Sequence, residues 1–205
     1  MRLILLSIFL QSFYLIGFSQ NERFNFDASK DSVVVRITIS GHYFSSVIYD
    51  FKLSSNNKLS LNSGYISSRT DSLHLVKIET SRNIDYIWKD LIYNNLLILP
   101  DQSEVEVIIN NNGKPYPMPK EPYQKIYDNM RGMFFNIEVL LNNYYRNYSF
   151  IDSDTFYKFI EKGIYSSPDI VRMHNIANTI FTELQFKELR KELISDILEK
   201  TGDDG

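Results

Sequence analysis

The sequence predicts an α+β protein: an antiparallel meander of about five strands with one packed helix, followed by a C-terminal helical region. Three observations carry this reading. Apolar residues alternate with a period of two from Val33 to Ser40 and again up to Leu53, as half-buried strands require. The polar breaks between the alternating runs are short, so successive strands fold back as hairpins and pair antiparallel. From Ile84 onward the apolar spacing lengthens to threes and fours, the period of amphipathic helices.

Ahead of the first strand stands a different kind of segment. Arg2 follows Met1, an apolar run extends from Leu3 to Ile16 with breaks at Ser7, Gln11 and Ser12, and Gly17-Phe18-Ser19 closes it. A basic start, an apolar middle and small residues at the −3 and −1 positions are the three parts of a secretory signal peptide. This assigns residues 1–19 to the signal, with cleavage between Ser19 and Gln20. The alternatives are an uncleaved anchor or a buried helix, but the run is shorter than the roughly 20 apolar residues of a spanning helix. No cysteine follows it, which excludes tethering through an acylated N-terminal Cys. The expectation is an exported protein, periplasmic or extracellular, with no membrane span after signal removal. Few alanines beside many Asn, Ile, Lys and Tyr are the composition of an AT-rich bacterial gene.

The elements follow in order. In the first strand Val33, Val35, Ile37 and Ile39 face one way and Val34, Arg36, Thr38 and Ser40 the other. Ser40-Gly41-His42 turns the chain. In the second strand, Tyr43 to Leu53, residues Val47, Tyr49, Phe51 and Leu53 oppose Ile48, Asp50 and Lys52. Ser54-Ser55-Asn56-Asn57 is a turn by composition. A weaker third strand takes in Lys58 to Asn62 and Tyr65 to Ser68, either continuous or broken at Ser63-Gly64, and a fourth runs from Leu73 to Glu79. Ile84, Ile87, Trp88, Leu91 and Ile92 then form one helical stripe, capped at its start by Ser81 or Asn83, with Trp88 as its largest contact on the sheet. A further strand is expected over Glu104 to Ile109, ended by Asn110-Asn111-Asn112-Gly113.

Pro115, Pro117, Pro119 and Pro122 make the next segment stiff and extended. The organisation is therefore a signal over 1–19, a β-rich region with one helix over 20–113, a Pro-rich junction over 114–122 and a helical region over 123–202. The two regions form either separate units or one domain. Helix is expected from Tyr123 to about Tyr148, then a short helix capped by Asp152-Ser153-Asp154 and ended by Gly163. Ser167-Pro168-Asp169 starts another: a capping residue, Pro at the first position and an acid in the first turn. Its stripe slips phase near Gln185.

The chain has 205 residues with 22 Lys+Arg against 25 Asp+Glu, a net charge of −3, 43% hydrophobic residues and no cysteine. These values exclude a disordered tail, a disulfide scaffold, a zinc-thiolate module and thiol catalysis, and they argue against nucleic acid as a partner. No Gly-rich phosphate loop and no Gly-x-Ser-x-Gly elbow is present, and no motif calls for a cofactor or a metal. His42, His74 and His174 are the three histidines, and none shares metal-ligand spacing with another. Asp50, Glu79, Glu104 and Glu106 are candidate acids for glycoside hydrolysis, although Glu104 and Glu106 alternate with Val105 and Ile108 as a solvent face does. Asp152-x-Asp154 resembles the start of a calcium loop, but the sixth and twelfth positions hold Tyr157 and Gly163, so helix capping explains it better. Fourteen Tyr and fourteen Phe supply a core and faces that stack on sugars. Asp31-Ser32-Val33 and Asp71-Ser72-Leu73 match an Asp-Ser/Thr-aliphatic O-glycosylation pattern, making Ser32 and Ser72 candidate acceptors.

The function expected from this reading is an exported, non-enzymatic protein that binds another macromolecule, either an envelope or extracellular protein or a glycan. The alternatives are a small exported hydrolase acting on glycans or peptides, and an inhibitor or immunity protein.

Overall fold

The computed structural model describes residues 31–41, 44–66, 73–141, 144–152, 154–191 and 194. The segment expected to be a signal, with Ser19 and Gln20, and also His42 and Ser72 lie outside the described residues. The fold is α+β, as the periodicity predicts. Six antiparallel strands form the main sheet: β1 (Asp31–Gly41), β2 (Phe44–Ser54), β3 (Leu59–Ile66), β4 (Leu73–Val76), β7 (Met133–Leu141) and β8 (Tyr144–Asp152), in the order β4-β3-β2-β1-β7-β8. A smaller sheet has the order β6-β5-β9, from β5 (Ile108–Asn111), β6 (Lys114–Pro117) and β9 (Tyr165–Ser166). The helices are α1 (Ile84–Tyr93), α2 (Lys120–Asp128), α3 (Asp154–Glu161) and α4 (Pro168–Glu183).

The alternation read in β1 and β2 decides which face is the core. Val33, Val35, Ile37 and Ile39 join Val47, Tyr49 and Phe51, together with Phe135, Ile137, Val139, Tyr148 and Phe150 from β7 and β8. The same cluster holds Ile87 and Leu91 of α1 and Met173, Ile176, Ala177 and Ile180 of α4. Each such side chain, fully buried, contributes about 1.5–3 kcal/mol. Trp88 packs against Phe51 at 5.5 Å between ring centroids, the contact expected of it. Phe135 stacks on Phe150 at 4.7 Å. Three buried tyrosines also tie loops to this core: Tyr49 donates to the carbonyl of Leu184, Tyr123 to that of Gln102 and Tyr148 to that of Leu96. Burial pushes all three phenols far above their ordinary pKa, so they serve as neutral donors.

The Asn83 cap and the Pro168 start perform as read, whereas Ser167 takes the capping position without a capping hydrogen bond. The side chain of Asn83 accepts from the Asp85 amide at 2.8 Å, and Pro168 opens α4. Gly163 stops the turn after α3 with φ +69°, and Gln185 breaks the phase after α4 with φ +49°. Residues 186–191 then resume as helix.

Three segments differ from expectation. The helix expected over Tyr123 to Tyr148 is a short α2 followed by the β7–β8 hairpin. Both periods coexist there, since Phe135, Ile137 and Val139 also alternate with Asn136 and Glu138. The free edge of β1 decides between them. Val33 to Ser40 pair without a break against Phe134 to Leu141, a ladder that a helix would leave unpaired. The strand expected over Glu104 to Ile109 begins only at Ile108; a 3-10 turn, Gln102–Glu104, precedes it. The alternation is nevertheless real: Val105 and Val107 are buried while Glu104 and Glu106 are exposed. Finally, the proline run is not only a connector. Asn112 and Gly113 both have positive φ, a type I′ hairpin turn that folds β6 back on β5 in the register Asn111↔Lys114 and Ile109↔Tyr116. Pro115 and Pro117 fall at alternate positions of this edge strand, so the missing N–H groups point away from β5.

Candidate functional site

The residues singled out in the sequence are dispersed by the fold. Asp50 accepts both Nε and Nη2 of Arg36 at 2.8 Å, so it is the partner of a cation rather than a free acid. That hydrogen-bond pair, followed by the nearby charge of Glu138, raises the Arg36 pKa against the opposing effect of burial. Glu138 is 1% exposed and accepts from the Tyr145 hydroxyl at 2.9 Å. Glu79, Glu104 and Glu106 are exposed. His74 shares the half-buried side of its segment with Val76 and Ile78 and stacks on Tyr65 at 5.0 Å. Ser32 sits where the β1–β2 register shifts between Asp31 and Val33, half-buried at a bulge.

The fold assembles one pair that spacing did not reveal. His174 on α4 places Nδ1 2.8 Å from Asp152 at the end of β8, and Tyr157 of α3 stacks on the imidazole at 3.7 Å. Orientation of a histidine by a carboxylate is an element of general-base sites. The crevice beside it has a volume of only about 10 Å³, far below the roughly 300 Å³ of the smallest ordinary ligand pockets. The pair ties α4 to the end of the sheet.

A larger concavity lies at the head of α4, and its walls follow from how two helices end and begin. The α1 helix closes with a Schellman turn: the Leu96 amide donates to Leu91 O at 3.1 Å and the Asn95 amide to Ile92 O at 2.9 Å, with Asn95 at φ +61°. Leu91 and Leu96, both fully buried, make the apolar contact that accompanies this motif. The turn holds Asn94 inward, donating from Nδ2 to Asp90 O at 2.8 Å, and leaves Tyr93 standing out at 86% exposure.

Opposite, α4 starts directly after β9. The pairing Ile108↔Ser166 continues into an extended Ser167, φ −157° and ψ 108°. Ser167 occupies the capping position, yet its hydroxyl makes no capping hydrogen bond. Ser167 is 2% exposed, and its Oγ has no hydrogen-bond partner. One stripe of α4, Pro168, Val171, Arg172 and Asn175, lines the groove from this side. Asn175 donates from Nδ2 to Asn94 Oδ1 at 3.0 Å, joining the two walls. Arg172 donates to Asp169 at 2.8 Å. The groove is open, about 550 Å³ in volume, and Ile160 of α3 also lines it.

This arrangement places an exposed aromatic side chain, an asparagine and an arginine around one volume, while Ser167 Oγ is closed off from solvent. It has the inventory of a binding site for a polar ligand with an apolar face. No protein-family model matches this chain, and neither the curated proteins nor the solved structures compared with it contain a match. Among the described residues, no three His, Asp or Glu side chains gather as metal ligands would, and no helix is long and apolar enough to cross a membrane.

Sequence reasoning located the start of α4 but missed the groove. The signal for its other wall was present: Asn94-Asn95 comes just after Tyr93, the last residue of α1, and Asn is the second choice after Gly for the left-handed residue of a helix end. Nothing local could show that this end faces Ser167, more than seventy positions away in the chain.

Proposed function

We propose that this protein is exported and non-enzymatic and acts by binding another macromolecule through the groove at the head of α4. The observation that carries the reading is Tyr93, a large aromatic side chain 86% exposed, standing beside polar groups that line one open groove with it. An aromatic ring held in water at the rim of a polar cleft contributes little to folding and much to a contact. The N-terminal pattern supports export, through cleavage between Ser19 and Gln20, to a periplasm or beyond the cell.

Two measurements test this. N-terminal sequencing of the protein from fractionated cells is expected to begin at Gln20 in the exported fraction; an intact Met1 in the cytosol would overturn export. Cross-linking from a photoreactive residue at position 93 in envelope extract is expected to capture a partner that the same residue placed at the exposed position 104 does not. Equal labelling from both would remove the groove from the proposal.

A further inference from the structure

We propose that the slot between β3 and the chain leaving β4 receives an extended segment of a partner polypeptide, which pairs as an added strand with residues 59–62. This surface is separate from the groove at the head of α4 and stands or falls independently of it.

The main sheet ends differently at its two edges. On β8, the chain between α1 and β5 supplies side chains to the edge: Asp101 accepts from the Ser149 amide at 2.9 Å and Gln102 from the Ile151 amide at 2.6 Å. These side chains take the place of a further strand. At the opposite edge β4 covers only half of β3. Residues 63–66 pair with residues 73–76, whereas residues 59–62 pair, among the described residues, with β2 alone. In an antiparallel ladder alternate residues direct both N–H and C=O to the same neighbour, so about two of these four turn a donor and an acceptor toward the open side. Ser60 and Asn62 are exposed and Leu59 and Leu61 half-buried, so solvent reaches this edge.

The slot follows from how β4 ends. At Gly64 the carbonyl of His74 takes the space that any side chain would fill, which brings β4 hard against β3 there. Past Val76 the chain is drawn away instead of continuing the ladder. The Glu79 amide donates to Gln185 Oε1 at 3.1 Å and the Ser81 amide to Glu183 O at 3.2 Å, and Arg82 adds an ion pair to Glu183 at 3.0 Å. The far end of α4 thus anchors this segment apart from β3. Between them lies a concavity of about 590 Å³, with Leu59 and Leu61 on one side and Lys77, Ile78 and Ile84 on the other.

Backbone chemistry and charge name the occupant. Open N–H and C=O groups along a strand edge are complemented by another backbone in extended form, the recognition mode of strand addition. β3 and β4 contain no proline and no charged residue, the devices that guard an exposed edge against pairing. Leu59, Leu61, Ile78 and Ile84 are half-buried and pack against the core, so one face of the added strand meets apolar walls and carries apolar side chains at alternate positions. Among the described residues, Lys77 is the one charged side chain lining the slot, and Lys58 immediately precedes β3. Acidic residues at the ends of the incoming segment match both.

The test uses the protein as its cells process it and three synthetic peptides. These are acetyl-Asp-Val-Thr-Val-Thr-Val-Asp-amide, the same peptide N-methylated at every Val and Thr, and a version with Lys at both ends. Binding is read by fluorescence anisotropy, and its place by hydrogen exchange of residues 59–62 with mass spectrometry. The Asp-ended peptide is expected to bind and to slow exchange of residues 59–62, and its N-methylated form to bind about tenfold more weakly or not at all. Lys77→Glu, at an exposed position, is expected to weaken the Asp-ended peptide about two- to fivefold and to favour the Lys-ended one. Equal binding of the N-methylated peptide, or no slowing of exchange at residues 59–62, overturns the proposal. Slow exchange there in the free protein at every concentration would mean that its own chain fills the slot. Slow exchange that appears only as concentration rises would give the slot to a second copy. Either result overturns the assignment to a partner.

Discussion

On the second face of the main sheet, Arg36 meets Asp50 through two bonds of 2.8 Å, and Glu138 accepts from Tyr145. At the head of α4, Ser167 Oγ is equally buried and meets nothing. Both regions remove polar atoms from water, but only the first answers them. The answered set also specifies the fold. Arg36 lies directly across from Asp50 on β2 and from Glu138 on β7, and a slip of one residue in either strand would turn the partner to the opposite face. The network therefore pins the register of three adjacent strands. The lone hydroxyl pins nothing, and its oxygen is closed to solvent. A buried polar group with partners is architecture; one without them, closed to solvent as well, is a local cost that the surrounding packing must offset.

The comparison is sharpened most by Asp50→Ala. It strands a largely buried guanidinium, and a loss of about 3–5 kcal/mol is expected in urea unfolding. Replacing both members together, Arg36→Met with Asp50→Leu, is expected to restore most of that stability, because the penalty arises from the orphaned charge. If the single and double variants were equally unstable, the pair would not be acting as a unit.

Next in size is Gln102→Ala. The Gln102 side chain, 2% exposed, accepts from the Ile151 amide on the open edge of β8 at 2.6 Å. Its removal leaves that amide without its partner and is expected to cost about 1–3 kcal/mol, with faster hydrogen exchange at Ile151 than at core amides of β1.

A smaller effect depends on pH. Asp101 accepts from the amides and hydroxyls of both Ser103 and Ser149. Burial raises its pKa, but these hydrogen bonds together outweigh burial and hold it below the ordinary carboxylate value. A depressed folded-state pKa contributes stability above the unfolded value of about 3.9 and loses it as pH falls through the folded value. Asp101→Asn is thus expected to be less stable than the parent at neutral pH, with the difference shrinking below about pH 4. A difference constant across that range in thermal melts would sink the assignment.

The smallest effect has the opposite sign. Ser167→Ala removes an unpartnered buried hydroxyl and is expected to leave stability unchanged or raise it by up to about 1 kcal/mol. A clear loss of stability would place Ser167 with Arg36 among the architectural groups.

Much of the fold was legible where a local pattern had one solution. The period-two runs of β1 and β2, the α1 stripe and the Ser167-Pro168 start are all in place. The segment from Met133 to Asp152 was not legible, because Phe135, Ile137 and Val139 fit a strand while Phe134, Ile137 and Leu141 fit a helix equally well. The Asn112-Gly113 hairpin was legible in principle, but the prolines beyond it read as a linker. The groove was the least legible. Its walls come from α1, α3 and α4, and no spacing along the chain encodes that meeting.

The sequence by itself determined the α+β class, the exclusion of thiol chemistry and where most helices begin, since each is read from composition or from residues within a few positions of one another. Tertiary structure alone decided that β7 and β8 complete the sheet, that Arg36 on β1 pairs with Asp50 and lies across from Glu138, that His174 meets Asp152, and that Tyr93 and Ser167 line one groove. These depend on pairing energies and burial between distant segments, which local propensity does not contain.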